Sequence, residues 1–272
     1  MFLSHIMDES ELQRFISNGY VTSSKHPYAD LHVLNYTHKT QHENFWTPET
    51  IQCRGLIVDG NGKIKERPFK KFFNHSEHIT QGFHLPDELP IVTEKTDGAL
   101  GILYWLNGEP CIATRGSFAS PHAQWATAWL RSNMAFMSQE DWDVLRDDSK
   151  THLFEIICSV SAIVVKYDFE GLVYLAAIDK ATGCDIWPLP LLPYIRYPKM
   201  LPLGDVDLEE IRRRNVENEE VYVALFPQSG LRLKAKFQWY IDRHRLFTGL
   251  SVHALWEMFR DGMTLDDVSR DV

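Results

Sequence analysis

Leu12, Phe15 and Ile16 fall on one face of a helix that Asp8 and Glu11 open as a capping box, and Gly19 follows as a stop. From Leu31 to Phe118 the apolar positions change to strand spacing. Cys53 to Asp59 runs into Gly60-Asn61-Gly62 and returns along Ile64 to Phe69, which predicts a hairpin. A second is predicted by Ala99 to Leu106, the Asn107-Gly108 turn and Cys111 to Arg115. Helical spacing returns at Pro121 to Met137, with Trp125 and Trp129 in register, and at Ser138 to Leu145. Strands are expected at His152 to Cys158, Ala162 to Lys166 and Leu172 to Ile178, before a proline-rich connector from Pro188 to Pro202. Leu208 to Arg214 reads as a helix, and Glu219 to Phe226 with Leu231 to Phe237 as a third hairpin. From Gln238 onward the spacing is helical, ending in a segment capped by Thr264 with Asp267. Hairpins mixed with helices predict an α+β fold of antiparallel sheets flanked by helices, rather than a doubly wound parallel sheet.

Composition narrows the class. The 272 residues are 44% hydrophobic and 12% aromatic, enough for a packed core and unlike a disordered or fibrous chain. Lys and Arg number 28 against 37 Asp and Glu, a net charge of -9, so any phosphate-handling surface must be local. Cys53, Cys111, Cys158 and Cys184 form no CxxC pair, which argues against a zinc ribbon or redox dithiol. The apolar start from Met1 to Met7 meets Asp8 and Glu9 at once, unlike a signal peptide, and the run from Leu172 to Ile178 is far too short to cross a bilayer. A reduced, cytoplasmic protein is expected, in a host cytoplasm if the source is viral. Neither GxGxxG nor GxxxxGK[ST] occurs, so the two standard phosphate loops are missing.

Three patterns carry chemistry of their own. Glu94-Lys95-Thr96-Asp97-Gly98 ends an apolar run with a lysine and a glycine-containing turn. Leu231 to Lys236 alternates strictly, which on a strand puts Arg232, Lys234 and Lys236 on one face. Glu155 stands inside the otherwise apolar strand His152 to Ile157, where a carboxylate is costly without a metal, a hydroxyl or another partner.

Together with Cys53-Arg54-Gly55, the stretch Arg67 to Asn74 (RPFKKFFN), Thr114-Arg115-Gly116-Ser117 and Glu219-Glu220-Val221-Tyr222-Val223, these segments resemble the motifs of covalent nucleotidyltransferases. Within that superfamily they look most like ATP-dependent RNA ligases of the phage T4 RNA ligase 1 type. The resemblance spans Tyr36 to Tyr240. It implies an adenylyltransferase (nucleotidyltransferase) domain over residues 1–240 and a short helical C-terminal segment over 241–272. It implies that Lys95 attacks the α-phosphate of ATP. A free lysine has a pKa near ~10.4, so only about one in 10³ is a neutral nucleophile at neutral pH. Packed cations would lower that pKa, and Gly98 would let the backbone approach the nucleotide. By resemblance, Lys234 and Lys236 bind the α-phosphate, Arg54 and Lys71 reach the triphosphate, Phe73 lines the pocket and Glu155 contacts the sugar. Arg115 replaces a family lysine and still suits phosphate. Tyr36 and Tyr240 are further nucleotide contacts. Glu219 is expected to support the catalytic Mg²⁺ or Mn²⁺. The family's glycine is here Glu220, which leaves the working carboxylate between these two, with register favouring Glu219.

The 36 residues after Lys236 cannot hold a five-stranded barrel, which disfavours capping or DNA joining. The expected reaction joins RNA 3′-hydroxyl and 5′-phosphate ends through lysyl-AMP and 5′-adenylated RNA, with a cleaved tRNA among the candidate substrates. Two alternatives share the motifs: a nucleotide-binding regulatory protein that has lost ligation, and a nucleotidyl transferase with a non-RNA acceptor.

Overall fold

A computed structural model describes residues 1–80, 83–133, 136–159, 165, 167–201 and 221–236, with backbone only at Ser76, Thr80, Val221 and Lys236. Its sheets are antiparallel, as the alternating segments predict. The first sheet orders β1 (Val21–Lys25), β2 (Leu31–Tyr36), β3 (Arg54–Asp59) and β4 (Ile64–Glu66) as β1-β2-β3-β4. The second has the order β10-β9-β8-β6-β7, built from β6 (Ala99–Leu106), β7 (Glu109–Thr114), β8 (Lys150–Ile157), β9 (Gly171–Asp179) and β10 (Asp185–Ile186). The third is the small sheet β12-β11-β5, from β5 (Ile91–Glu94), β11 (Val221–Phe226) and β12 (Leu231–Lys236).

Period-two alternation builds the layers. On β3, Ile57 faces the second sheet, while Leu56 and Val58 pack under α1 (Glu9–Ser17). On β6, Ile102 and Tyr104 face the first sheet, and Leu103 packs among residues of α5 (Pro121–Ser132) and α6 (Gln139–Leu145). The order is therefore helix, sheet, sheet, helices, with apolar cores in each gap. On β8 the same alternation puts Leu153 and Glu155 on the inter-sheet side, and Phe154 and Ile156 against the helices. The side on which Glu155 stands follows from that parity.

The caps explain the ends. Asp8 accepts from the backbone N–H groups of Ser10 and Glu11, and Ser138 accepts from Asp141 to open α6. The β6–β7 turn places Asn107 and Gly108 at φ of 52° and 84°, the left-handed pair a two-residue hairpin needs.

Several elements depart from the sequence expectation. The segment read as strands also holds three short helices, α2 (His38–His42), α3 (Pro48–Gln52) and α4 (His75–Thr80). Thr37 and Thr47 cap the first two, and Pro48 presets the first turn of α3. Five residues are too few to show a helical period. His75 is buried at the start of α4. The helix from Pro121 stops at Ser132 rather than Met137, and β4 stops at Glu66, before Pro68. Residues 160–164, 166 and 202–220, with the expected helix at Leu208 to Arg214, lie outside the described residues, as does everything after residue 236. The predicted division between 1–240 and 241–272 falls there too.

Among the described residues no helix is long and apolar enough to cross a membrane. The four cysteines are free thiols, three of them buried and Cys184 exposed.

One buried group should make stability depend on pH. His152, 2% exposed in the core beneath α6, has Nδ1 2.7 Å from the Tyr174 hydroxyl. Burial, with Lys150 adding in the same direction, pushes its pKa down to about 4 from an ordinary 6.5. A depressed imidazole contributes stability above pH 6.5 and loses it as pH falls toward 4, by on the order of 3 kcal/mol. Thermal unfolding of wild type beside His152→Gln should show an advantage at pH 7 that shrinks from pH 6.5 to 4. A difference that stays constant over this range would contradict the assignment.

Candidate active site

A β-bulge aims the first cation. Asn35 pairs with Arg54 and Leu34 with Leu56, so Gly55 is left between them without a partner. Its φ is 93°, and a Cβ there would sit 2.4 Å from Ile102 Cδ1 and 3.3 Å from Arg115 Cα. Only glycine fits. The extra residue breaks the alternation, so Arg54 turns toward the second sheet while Leu56 stays in the core under α1. Arg54 Nη1 is buried with no hydrogen-bond partner. Burial lowers the pKa of this guanidinium, Tyr36 opposes that shift, and Arg115 nearby reinforces it.

Lys95 follows directly on β5, in the connection to β6. Thr96 and Asp97 are buried. Asp97 Oδ2 accepts from the Val165 N–H at 3.2 Å, and the Asp97 N–H donates to the Tyr167 hydroxyl at 2.7 Å. These bonds fasten the backbone beside the lysine from below. A Cβ on Gly98 would lie 2.4 Å from the Ile156 carbonyl oxygen and 3.1 Å from Glu155 Cγ. The tight approach expected at Gly98 is thus made to β8 itself. That packing sets Lys95 and Glu155 side by side along the cleft wall.

The third sheet supplies further positive charge. Its register aligns Thr93, Val223 and Lys234 in one row, and Val221 with Lys236 in the next. Leu233 and Ala235 are buried on the opposite face, as the alternation predicts. Arg232 forms an ion pair with Asp185 and lies 4.2 Å over the Phe69 ring. Lys234 Nζ is 5.0 Å from the centre of the Phe72 ring, and Arg54 Cζ is 5.3 Å from the same ring. The Lys234 N–H donates to the Phe73 carbonyl at 3.0 Å, tying the RPFKKFFN segment to β12.

A cavity of about 500 Å³ collects most of these groups, while Lys234 stands behind the Phe72 ring and is not among its lining residues. Arg54, Lys95, Gly98, Arg115 and Glu155 line it, with Thr93, Val223, Phe72 and Arg232 from the other walls. Glu155 is buried, and its charge supports that of Arg54. Arg115 sits in a tight turn closed by the Thr114 N–H to Ser117 carbonyl bond of 2.9 Å. It donates to the Tyr36 hydroxyl at 3.1 Å, so Tyr36 meets the cavity through Arg115 without lining it.

Lys71 and Phe73 line a second cavity of about 320 Å³, on the other side of a wall made by Phe69, Phe72 and Arg232. Lys71 Nζ lies 4.8 Å from the Trp46 ring and 4.9 Å from Phe73, and its partial burial lowers its pKa. The side chain of Lys236, and all of Glu219, Glu220 and Tyr240, lie outside the described residues. Among the described residues no group of three or more His, Cys, Asp or Glu could hold a metal ion. Three contributors escaped the sequence reading. Phe72 was one of three similar phenylalanines, Trp46 lies in a stretch without periodicity, and nothing local links Asp185 to Arg232.

The family model for RNA ligase matches residues 52–190, just over half of the chain. A protein of Thermovibrio ammonificans, whose name proposes an RNA ligase, is 29% identical over 238 residues, 83% of this chain and 62% of its own length. RNA ligase 1 of bacteriophage TS2126 is 27% identical over 203 residues, 70% of this chain and 51% of its own. The chain therefore spans about half to three fifths of these relatives. Among solved structures, an archaeal ATP-dependent RNA ligase superposes with a TM-score of 0.59 at 14% identity, over 97% of this chain and 74% of its own, which shows a common fold.

The packing at Gly98 is directly testable. Gly98→Ala should lower stability by about 2 kcal/mol, because the Ile156 carbonyl is backbone and cannot swing aside. Gly116→Ala, whose Cβ would meet nothing closer than Asn35 Nδ2 at 3.7 Å, should be nearly neutral. Thermal unfolding of both decides it, and equal melting temperatures would contradict the packing.

Proposed function

This chain belongs to the RNA ligase family, and we propose that it joins RNA 3′-hydroxyl and 5′-phosphate ends by way of an adenylate carried on Lys95. The supporting observation is the cavity itself. One lysine on a fastened loop, three arginines and a buried glutamate meet in about 500 Å³, on segments distant in sequence. The orphaned, buried Arg54 Nη1 is a donor in want of an anion, which fits a polyphosphate.

In the first step Lys95 Nζ, unprotonated, attacks the α-phosphorus of ATP. A P–N bond forms, the bond to the bridging oxygen breaks, and pyrophosphate leaves with the electron pair. Arg54, Arg115 and Lys234 offset the negative charge that develops on the phosphate oxygens. Positive neighbours also favour the neutral form of the lysine. Glu155 accepts from a ribose hydroxyl, a role consistent with its place on the cleft wall. A divalent metal, Mg²⁺ or Mn²⁺, supplies further charge neutralisation when bound, with Glu219 as its expected support.

The second step transfers the adenylate. An oxygen of the RNA 5′-phosphate attacks the same phosphorus, and Lys95 leaves and takes up a proton. The product is 5′-adenylated RNA. In the third step an RNA 3′-hydroxyl attacks the 5′-phosphate phosphorus and AMP leaves, closing the phosphodiester. Both later steps pass through the cavity that holds the first. The physiological RNA belongs to the same proposal, with a cleaved tRNA as one candidate, and the cytoplasm as its location.

Incubation with α-³²P-labelled ATP and Mg²⁺, followed by denaturing electrophoresis, tests the first step. Wild type should carry label and Lys95→Ala should carry none. Arg115→Ala should label at least tenfold more slowly, since loss of one phosphate-directed donor in a desolvated site costs about 2 kcal/mol or more. Bound ATP without covalent label in wild type would overturn the proposal.

A further inference from the structure

We infer that Phe72, on the wall of the cavity, is a positioning residue whose aromatic face holds Arg54 and Lys234 for a bound triphosphate. This rests on reading the cavity as a triphosphate site. Arg54 belongs to the first sheet and Lys234 to the third, and like charges on separate sheets repel. Between them stands the Phe72 ring, 5.3 Å from Arg54 Cζ and 5.0 Å from Lys234 Nζ. A third cation, Arg232, lies 5.8 Å from the same ring. Arg232 is also held by its ion pair with Asp185.

The choice of an aromatic has a physical reason. A carboxylate would also gather cations, but its charge would cancel the field that draws a polyphosphate. The ring attracts through its quadrupole and carries no net charge. Arg54 Nη1 keeps a buried donor with no partner, so the guanidinium stays available to an anion. The ring is itself held. Phe69 packs against its side at 6.0 Å and an interplanar angle of 82°. The backbone bond from Lys234 to Phe73 fixes the adjoining segment to β12. Phe72 lines the cavity, so it sits where the phosphates and their cations would meet.

Site-specific replacement of Phe72 by trifluoro- and pentafluorophenylalanine tests this, because fluorine weakens the quadrupole while nearly preserving shape. Affinity for inorganic pyrophosphate and for ATP, measured by calorimetry with Mg²⁺, should fall stepwise to about tenfold weaker at pentafluorophenylalanine. Phe72→Tyr should retain affinity. The ATP concentration giving half-maximal adduct formation should rise more than the maximal rate falls. Unfolding temperatures across the fluorinated series should stay level, which separates this effect from simple packing. Affinities that do not change with fluorination would overturn the inference. So would a loss confined to ATP, since that would make the ring a surface for the base. The pyrophosphate measurement does not depend on covalent chemistry, so an absent lysine adduct would overturn the ligase reading and leave Phe72 independently judged.

Discussion

Positive charges gathered around one cavity oppose their own assembly, and most features of this site answer that repulsion. Two unit charges a few ångströms apart in a partly buried setting repel by several kcal/mol, before any ligand arrives. Arg54, Arg115, Lys95 and Lys234 come from four separate elements, so no single helix or strand sets their spacing. Each is secured differently: Arg54 by a glycine bulge and an aromatic face, Arg115 by a tight turn and the Tyr36 hydroxyl. Lys95 stands on a loop fastened through Asp97, and Lys234 on a strand tied to the Phe73 backbone. Aromatic rings recur because they hold cations without neutralising them.

The layered sheets make this arrangement rigid. The second sheet puts Glu155 on its inter-sheet side by simple alternation, and the close approach of Gly98 to the Ile156 carbonyl locks the Lys95 loop to the same strand. The third sheet is attached by side chains more than by continuous pairing with its neighbours. The Asp185–Arg232 ion pair and the Phe69–Phe72 rings link it to the other two sheets. A partly buried pair of this kind adds little net stability.

Much of this was legible in the chain. The strict alternation of Leu231 to Lys236 gave the buried face of Leu233 and Ala235, and Asn107-Gly108 announced its turn. Glu155 stood out as a carboxylate among apolar neighbours. Of the cations the family motifs singled out, Arg54, Lys95 and Arg115 line one cavity, and Lys234 lies near the Phe72 ring on its wall. What stayed hidden is what the third dimension creates. Helices of five residues leave no periodic trace, and nothing nearby in sequence marks His75 as buried. Gly98, read as making room for a ligand, lines the cavity and is also pressed against the backbone of β8. Lys71 and Phe73 stand beside Phe72 in sequence, yet the wall formed by Phe69, Phe72 and Arg232 sends them to a different cavity.

On the proposed reading, this gathered charge serves one nucleophile. Incubation of the protein with ATP, digestion under alkaline conditions that preserve a P–N bond, and peptide mapping by mass spectrometry test it most directly. A single adenylate is expected, on the peptide containing Lys95 and on that side chain. An adenylate on another lysine, or none on a protein that binds ATP, would contradict it.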